Sequence, residues 1–177
     1  MDEDLGELAK RAKAGDKDAF GRIYSLLLDK IYRFIYFLVS DEDVAYDLTQ
    51  DTFVRAYRAL PRYDAQRGAF STFVYAIARN LVIDHQRKRI NISLDLVGNV
   101  RYEENFEEKI DLNARSKKIH AVLKLLSKDD RELLILRYFE EMSFSEIAEI
   151  VGKKEGAVRV QVFRLLKSLK ESLAGNI

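Results

Sequence analysis

The sequence predicts an all-α protein made of two small helical domains joined by an acidic linker. Apolar residues recur at spacings of three and four along most of the chain, which is the period of a helix. A single proline and few alternating apolar and polar residues argue against strands. Basic and acidic residues number 15 and 14 in 1–89, 2 and 6 in 90–113, and 13 and 9 in 114–177. The differences of +1, −4 and +4 add to the net charge of +1 and predict a domain, a flexible linker and a second domain with these boundaries.

Composition excludes several classes of protein. With 177 residues, 47% of them apolar, the chain is long enough to bury hydrophobic cores, and wholesale disorder is excluded. The absence of cysteine excludes disulfides and thiolate metal sites and suits a reducing compartment. The first residues are acidic and polar, unlike a signal peptide, and no apolar run approaches the ~20 residues that span a bilayer. We therefore expect a cytoplasmic protein without membrane insertion.

Long helical patterns fill the N-terminal domain. The predicted segments are a helix capped by Asp16 with apolar positions from 20 to 38, a helix from 41 to 60, a polar loop from 61 to 68 and a helix from 70 to 89. Opposite its apolar side, the second helix carries a mixed face formed by Asp47, Gln50, Asp51, Val54 and Arg58. This pattern fits a solvated surface with one exposed valine equally well as a docking face with a charged rim.

The third helix and the loop before it carry a candidate nucleic-acid surface. Asn80, Asp84 and Arg87 recur at spacings of four and three, so they lie on one side of a helix that is otherwise mostly apolar. A buried structural network explains such a stripe as well as a binding surface does. The neighbouring aromatics Tyr63 and Phe70 favour the second interpretation, because aromatic rings beside basic residues stack on unpaired bases.

The C-terminal domain contains a predicted helix-turn-helix. Ser143 and Glu146 form a capping box, and Gly152 suits the left-handed turn that ends the first short helix. One side of the second helix is apolar, and its outer side is formed by Arg159, Val160, Phe163, Arg164 and Lys167. The three basic residues have no acidic neighbour at the next turn, so we expect them to be free for phosphates and base edges. The alternative is an ordinary helical hairpin with a solvated basic face.

No catalytic constellation is present in the sequence. The only two histidines, His85 and His120, are far apart, and no glycine-rich loop suited to phosphate is found. We expect a protein that is not an enzyme and that has no metal and no cofactor.

Three motifs together resemble the bacterial RNA polymerase sigma factors of the extracytoplasmic-function (ECF) group. Residues 47–57 are similar to the family's helix that binds the polymerase clamp, residues 70–89 to its reader of the −10 promoter element, and residues 143–159 to its −35 helix-turn-helix. Leu126-Ser127 stands where Leu-Pro is usual, and Ala157, Val160 and Gln161 replace the frequent Thr, Ser and Arg. The −35 sequence is therefore not transferable from relatives.

The resemblance implies partners for each surface. Asp47, Gln50, Asp51 and Val54 would bind the clamp helices of the largest subunit of core RNA polymerase. Promoter DNA would be read at −10 by Tyr63, Phe70, Asn80, Asp84 and Arg87, and at −35 by Arg159, Val160, Phe163, Arg164 and Lys167. Many relatives are held inactive by an anti-sigma factor, so the resemblance allows such a protein as a further partner, and the sequence does not reveal whether one exists. The alternative function is a free-standing helix-turn-helix transcriptional regulator.

Overall fold

The computed structural model describes residues 4–95 and 123–174. Within these residues the chain forms helices and turns and no strand, as an all-α fold requires. The α-helices are α1 (Leu5–Lys13), α2 (Lys17–Val39), α3 (Glu42–Ala59), α4 (Phe70–Asp95), α5 (Lys128–Leu134), α6 (Phe144–Val151) and α7 (Glu155–Ala174). A 3₁₀ turn at Leu60–Arg62 follows α3, and a π turn at Ile135–Phe139 continues α5. None of these helices is both long and apolar enough to cross a membrane.

Polar side chains at the helix starts explain where the helices begin. Asp16, Asp41 and Ser127 each accept a hydrogen bond from the backbone amide three residues further on. The predicted capping box of α6 is present, with the Ser143 amide donating to Glu146 at 2.8 Å and the Glu146 amide donating to Ser143 at 3.2 Å. The caps therefore satisfy amides that a helix leaves without partners.

Helix ends were less predictable than helix starts. Gly152 ends α6 in the expected left-handed conformation, with φ of 68°. The prediction that α4 ends at Arg89 was wrong, because the helix continues to Asp95. Residues 90–95 contain no glycine or proline, so nothing in their sequence stops the helix at that point. The predicted linker from residue 96 to residue 113 lies outside the described residues.

The N-terminal domain packs α2, α3 and α4 around one hydrophobic core, with α1 laid across it. Hydroxyl groups in this core are satisfied locally, since Thr49 donates to the Ala45 carbonyl at 2.6 Å and Thr52 to the Leu48 carbonyl at 2.7 Å. The buried side chains at the centre include Ile23, Leu27, Ile31, Phe53, Ala56, Val74 and Ala78.

The C-terminal domain packs the π turn, α6 and α7 together and rests on the N-terminal domain. Its own core includes Leu133, Leu136, Ile147, Val158 and Val162. Helix α6 packs against α4, and the π turn packs against α2, so the two domains share one continuous cluster of buried side chains. This arrangement leaves the outer sides of α3, α4 and α7 toward solvent.

Candidate nucleic-acid and protein interfaces

The predicted docking face of α3 lies at the surface. Asp47, Asp51 and Val54 are exposed, and Val54 has 47% of its surface accessible. Gln50 is half-buried, because its side-chain amide donates to the Tyr24 hydroxyl at 3.3 Å. The four side chains therefore form one surface, of which Gln50 is the part anchored to α2.

Two tyrosines that the sequence reasoning missed belong to the same face. Tyr46 and Tyr57 are 60% and 45% exposed, and they stand four and seven residues from Gln50. Together with Val54 they form an apolar stripe beside the acidic stripe of Asp47 and Asp51. Tyr46 lies eight residues before Val54 and Tyr57 three residues after it. These helical spacings are the sequence signal that predicts the stripe. An apolar centre with an acidic rim is typical of a protein-binding surface.

The aromatic residues before and at the start of α4 pack on one another. The Tyr63 ring lies 4.9 Å from the Phe70 ring and 5.5 Å from the Phe73 ring, edge-on to the first and tilted to the second. Tyr63 donates its hydroxyl to the Gly68 carbonyl at 3.0 Å, and its own carbonyl accepts from Lys13 at 2.6 Å. Burial raises the pKa of Tyr63, and the carboxylate of Asp64 adds to this effect. In this conformation, Tyr63 and Phe70 are buried and fix the shape of the loop.

The polar stripe of α4 faces solvent. Asn80, Asp84 and Arg87 are all exposed, so the interpretation as a buried structural network is wrong. Arg79 and Tyr75, on another side of α4, are turned toward the C-terminal domain instead. The stripe lies on α4 and the loop precedes that helix; Asn80, Asp84 and Arg87 are exposed, whereas Tyr63 and Phe70 are buried.

The outer side of α7 matches the predicted surface. Arg159, Val160, Phe163, Arg164 and Lys167 are all exposed, and Phe163 has 69% of its surface accessible. Apolar side chains on the outer side of a helix-turn-helix are suited to contact thymine methyl groups.

The expectation that the basic residues of α7 lack acidic partners was wrong for two of them. Arg159 donates to Glu155 at 2.6 Å, one turn before it, and Lys167 lies 4.0 Å from Glu171, one turn after it. Both pairs join residues four apart, which face each other on a helix. Arg164 makes no ion pair with any residue that the structure describes.

Arg159 is also held from a second direction. Its guanidinium lies 5.3 Å from the centre of the Phe144 ring, and that of Arg137 lies 4.7 Å from the same ring. Arg137 is itself fixed by donating to the Met142 carbonyl at 2.7 Å. A cation held by a carboxylate and a ring samples fewer orientations than a free arginine, which favours directed contact with a base.

No group of His, Asp or Glu side chains within residues 4–95 and 123–174 is arranged to hold a metal ion.

Comparison with known families finds two matches, one in each half of the chain. Residues 23–90 match the model of sigma-70 region 2, and residues 116–169 match that of sigma-70 region 4.

Comparison with known proteins finds similar sigma factors. The chain is 33% identical over 171 residues to the ECF RNA polymerase sigma factor BldN of Streptomyces coelicolor, covering 94% of this chain and 65% of BldN. It is 32% identical over 180 residues to the ECF RNA polymerase sigma factor SigW of Bacillus subtilis, covering 93% of this chain and 94% of SigW.

Solved structures share the fold. CnrH, in complex with the cytosolic domain of CnrY, covers 98% of this chain with a TM-score of 0.74 at 24% identity, which bears on the fold alone. The sigma factor RpoE from Bartonella quintana, in complex with the anti-sigma factor NepR, covers 88% of this chain and is matched over 96% of its own length, with a TM-score of 0.69 at 26% identity.

A helix-turn-helix domain joined to a second helical domain with an exposed charged helix face is typical of a class of two-domain DNA-binding proteins. Within that class, the chain belongs to the sigma-70 family, in its extracytoplasmic-function group. Sigma factors of this family direct RNA polymerase to promoters and are in general not enzymes.

Proposed function

We propose that this chain directs core RNA polymerase to a limited set of promoters through three separate surfaces and assists in melting them. The observation that carries the proposal is the outer side of α7, where two arginines, a lysine and two apolar side chains are exposed on a helix-turn-helix. The polymerase supplies the chemistry, and this chain supplies recognition, in the cytoplasm and without a cofactor. The domains would be 1–89 and 114–177, with 90–113 as the linker between them.

The polymerase-binding surface is the mixed face of α3. Asp47 and Asp51 provide acidic groups for a basic partner, and Gln50 and Val54 lie beside them. We assign the clamp helices of the largest polymerase subunit to this face because residues 47–57 resemble the family's clamp-binding helix. Helix α3 lies within the residues that match sigma-70 region 2. The exposed rings of Tyr46 and Tyr57 extend the apolar part of the surface.

The −10 element is assigned to α4 and the loop before it. Asn80, Asp84 and Arg87 are exposed in one row, so an amide and a guanidinium are available to a base edge and a phosphate. Tyr63 and Phe70 are buried and pack on each other in the described conformation. Their assignment to an unpaired base requires the loop to open.

The −35 element is assigned to the outer side of α7. Arg159 is held by Glu155 and Phe144 and suits a base edge, whereas Arg164 is unpaired among described residues and suits a phosphate. Val160 and Phe163 would provide apolar contact in the major groove, and Lys167 a further phosphate contact.

Transcription by core RNA polymerase tests the proposal directly. A pooled promoter library is transcribed by core polymerase alone and with this protein, and the transcripts are sequenced. We expect a small set of promoters with shared −10 and −35 sequences to depend on the protein. Binding of the protein alone to duplex DNA, with no effect on transcription by added core polymerase, would instead support a free-standing regulator. Retention of the protein by a co-expressed membrane-bound or soluble inhibitor would identify an anti-sigma factor.

A further inference from the structure

Exposed residues of alternating type form a regular stripe along α3. The five residues follow one another at spacings of four, three, four and four, so they lie along one side of α3 and of the 3₁₀ turn that continues it. All five are exposed, and they form what is here the charged stripe: Asp47, Asp51, Val54, Arg58 and Arg62. From its acidic end to its basic end the charged stripe is ~22 Å long, at ~1.5 Å per residue.

The four ions of the charged stripe have no partner in the part of the chain that the structure describes. Their side chains make no hydrogen bond and no ion pair with any residue of 4–95 or 123–174. Exposed ions elsewhere on the protein pair with a neighbour on the same helix, as Arg159 does with Glu155 at 2.6 Å. The charged stripe is therefore a surface whose ions are available to another molecule.

The order of the residues makes the charged stripe complementary to itself. It reads acidic, acidic, apolar, basic and basic, and its midpoint lies between residues 54 and 55. Asp51 and Arg58 are equally far from this midpoint on its two sides, and so are Asp47 and Arg62. A second copy of α3, related by a two-fold axis through the midpoint, would place every acidic residue opposite a basic one.

Only the antiparallel arrangement has this property. In it, Asp51 meets Arg58 of the second copy and Asp47 meets Arg62 of the second copy, and the symmetry forms each pair twice. A parallel copy would place like charges together along the whole stripe, which is unfavourable. The pattern therefore specifies both the partner, which is a second copy of this chain, and its direction.

The centre of the charged stripe is apolar. Val54 is 47% exposed and lies next to the midpoint, so the valines of two antiparallel copies would meet there. Tyr57, 45% exposed, lies one turn further along and adds apolar surface on the flank. A centre without charge inside a charged rim is typical of protein interfaces. The net charge of the chain is only +1, so two copies do not strongly repel each other.

The size of the charged stripe limits the strength of such a pair. A helix ~10 Å wide over ~22 Å presents about 220 Å² in projection, well below the ~800 Å² per partner of a standard stable complex. We therefore expect a dissociation constant of about 10–100 μM. Because ions provide much of the attraction, the pair should weaken as salt is added.

We propose that two copies of this chain bind each other in antiparallel orientation through the charged stripe, and that this pairing excludes core polymerase from the same face. The exclusion rests on the proposed function, because Asp47, Asp51 and Val54 belong to both surfaces. The pairing itself does not depend on it. Polymerase binds the unpaired copy, so its apparent affinity falls by the fraction of the protein that is paired.

Charge reversal at the inner ion pair tests the pairing in the full chain. Asp51→Arg alone and Arg58→Asp alone each place like charges opposite each other, so neither variant should pair with itself. An equimolar mixture of the two variants should pair again, because position 51 of each chain then meets an opposite charge at position 58 of the other. Asp29→Arg and Lys30→Glu make charge changes of the same signs at exposed positions of α2 and should pair as wild type does.

Sedimentation equilibrium measures the pairing at about 200 μM protein, in about 50 mM and about 500 mM salt. We expect wild type to form dimers at the lower salt concentration and to bind about tenfold more weakly at the higher one. A wild-type monomer at the lower salt concentration would overturn the inference. Single variants that pair as strongly as wild type, or a mixture that stays monomeric, would overturn it as well.

Energy transfer between copies tests the exclusion of polymerase. The chain has no cysteine, so Ser25→Cys, at an exposed position of α2, carries a donor on one batch of protein and an acceptor on another. We expect transfer in the mixed free protein and its loss when core polymerase is added in excess. Transfer that persists in the polymerase-bound protein would overturn the exclusion. A core polymerase that does not bind the protein at all would overturn the proposed function and leave the pairing intact.

Discussion

Glu132, at the boundary between the two domains, shows the opposing effects of burial and ion pairing on the pKa of one side chain. Glu132 is held inside the protein by one arginine, and burial is the larger influence on its pKa. Because the folded pKa is raised above the ordinary value of 4.5, the folded protein binds this proton more tightly than the unfolded chain does. The associated stabilisation is fully present below the unfolded pKa and is lost as the pH rises through the folded pKa.

The first prediction compares Glu132→Gln with wild type. The variant keeps an acceptor for Arg79 without a buried charge, so at pH 7 its midpoint of thermal unfolding should equal or exceed that of wild type. As the pH falls through the folded pKa of Glu132, the wild-type protein should become more stable relative to the variant, because protonation removes its buried charge. Arg79→Ala leaves the buried carboxylate unpaired and should lower the free energy of unfolding by about 3–5 kcal/mol. Thermal melts from pH 7 to pH 4 measure both effects. A Gln variant much less stable than wild type at pH 7 would show that the ion pair outweighs burial.

The second prediction separates the two arginines of α7. Arg164→Ala should weaken promoter binding and reduce the salt dependence by about one unit of slope, as loss of one phosphate contact does. Arg159→Ala should instead change which −35 bases are preferred, and Phe144→Leu should broaden that preference, because the ring holds the guanidinium. A salt titration and a selection from randomised −35 sequences make the comparison. Equal behaviour of the two alanine variants would show that the roles are assigned wrongly.

At the scale of a helix, α3 shows which features the sequence pattern predicts and which it does not. The exposed positions Asp47, Asp51 and Val54 followed from the helical period, because the apolar side faces the core wherever a helix packs on one side. The hydrogen bond from Gln50 to Tyr24 did not follow, since it joins residues 26 apart in the chain. Helix starts were predictable from capping side chains, whereas the end of α4 lacked a local signal.

The third prediction concerns the α3 face. Asp47→Arg with Gln50→Ala should abolish binding to core polymerase, because paired residues at the centre of an interface contribute about 2 kcal/mol or more each. Since Gln50 also bonds Tyr24, Asp47→Arg with Val54→Ala serves as a second variant made only at exposed positions. Asp29→Arg on α2 is the charge control. Pull-down with core polymerase and circular dichroism are the measurements. Normal binding by both double variants would place the polymerase contact elsewhere.

The fourth prediction concerns the α4 stripe. Asn80→Ala should slow formation of the open complex more than it weakens the closed complex, since an unpaired base becomes available only after melting. A promoter with a pre-melted −10 region should recover part of the loss. Permanganate footprints on duplex and pre-melted templates measure this difference. Footprints equal to wild type on the duplex would assign Asn80 no part in reading the base.

At the scale of the whole molecule, the contact between domains could not be predicted from sequence patterns. Arg33 and Glu140 are 107 residues apart, and neither belongs to a period or motif that points toward the other. The helices within each half were predictable, because their apolar faces recur at the helical period. Which face of one domain meets the other depends on long-range pairing of charge and shape, which local spacing does not encode.

The last prediction concerns the acidic predicted linker, whose residues beyond Asp95 lie outside the described part of the chain. Glu103, Glu104, Glu107 and Glu108 stand together in the sequence. Channels that hold nucleic acid have basic walls, so an acidic segment placed in one is attracted as the phosphate backbone is. Changing all four residues to Gln should weaken binding to core polymerase modestly, chiefly at low salt where the attraction is least screened.

The same variant should release fewer short abortive transcripts, because growing RNA would displace a less strongly bound segment. Changing the four residues to Asp preserves the charge and is the matched control. Affinity for core polymerase at two salt concentrations and the ratio of abortive to full-length transcripts test both parts. If the Gln variant matches the Asp variant in both measurements, the segment acts only as a tether, and its charge has no part in initiation.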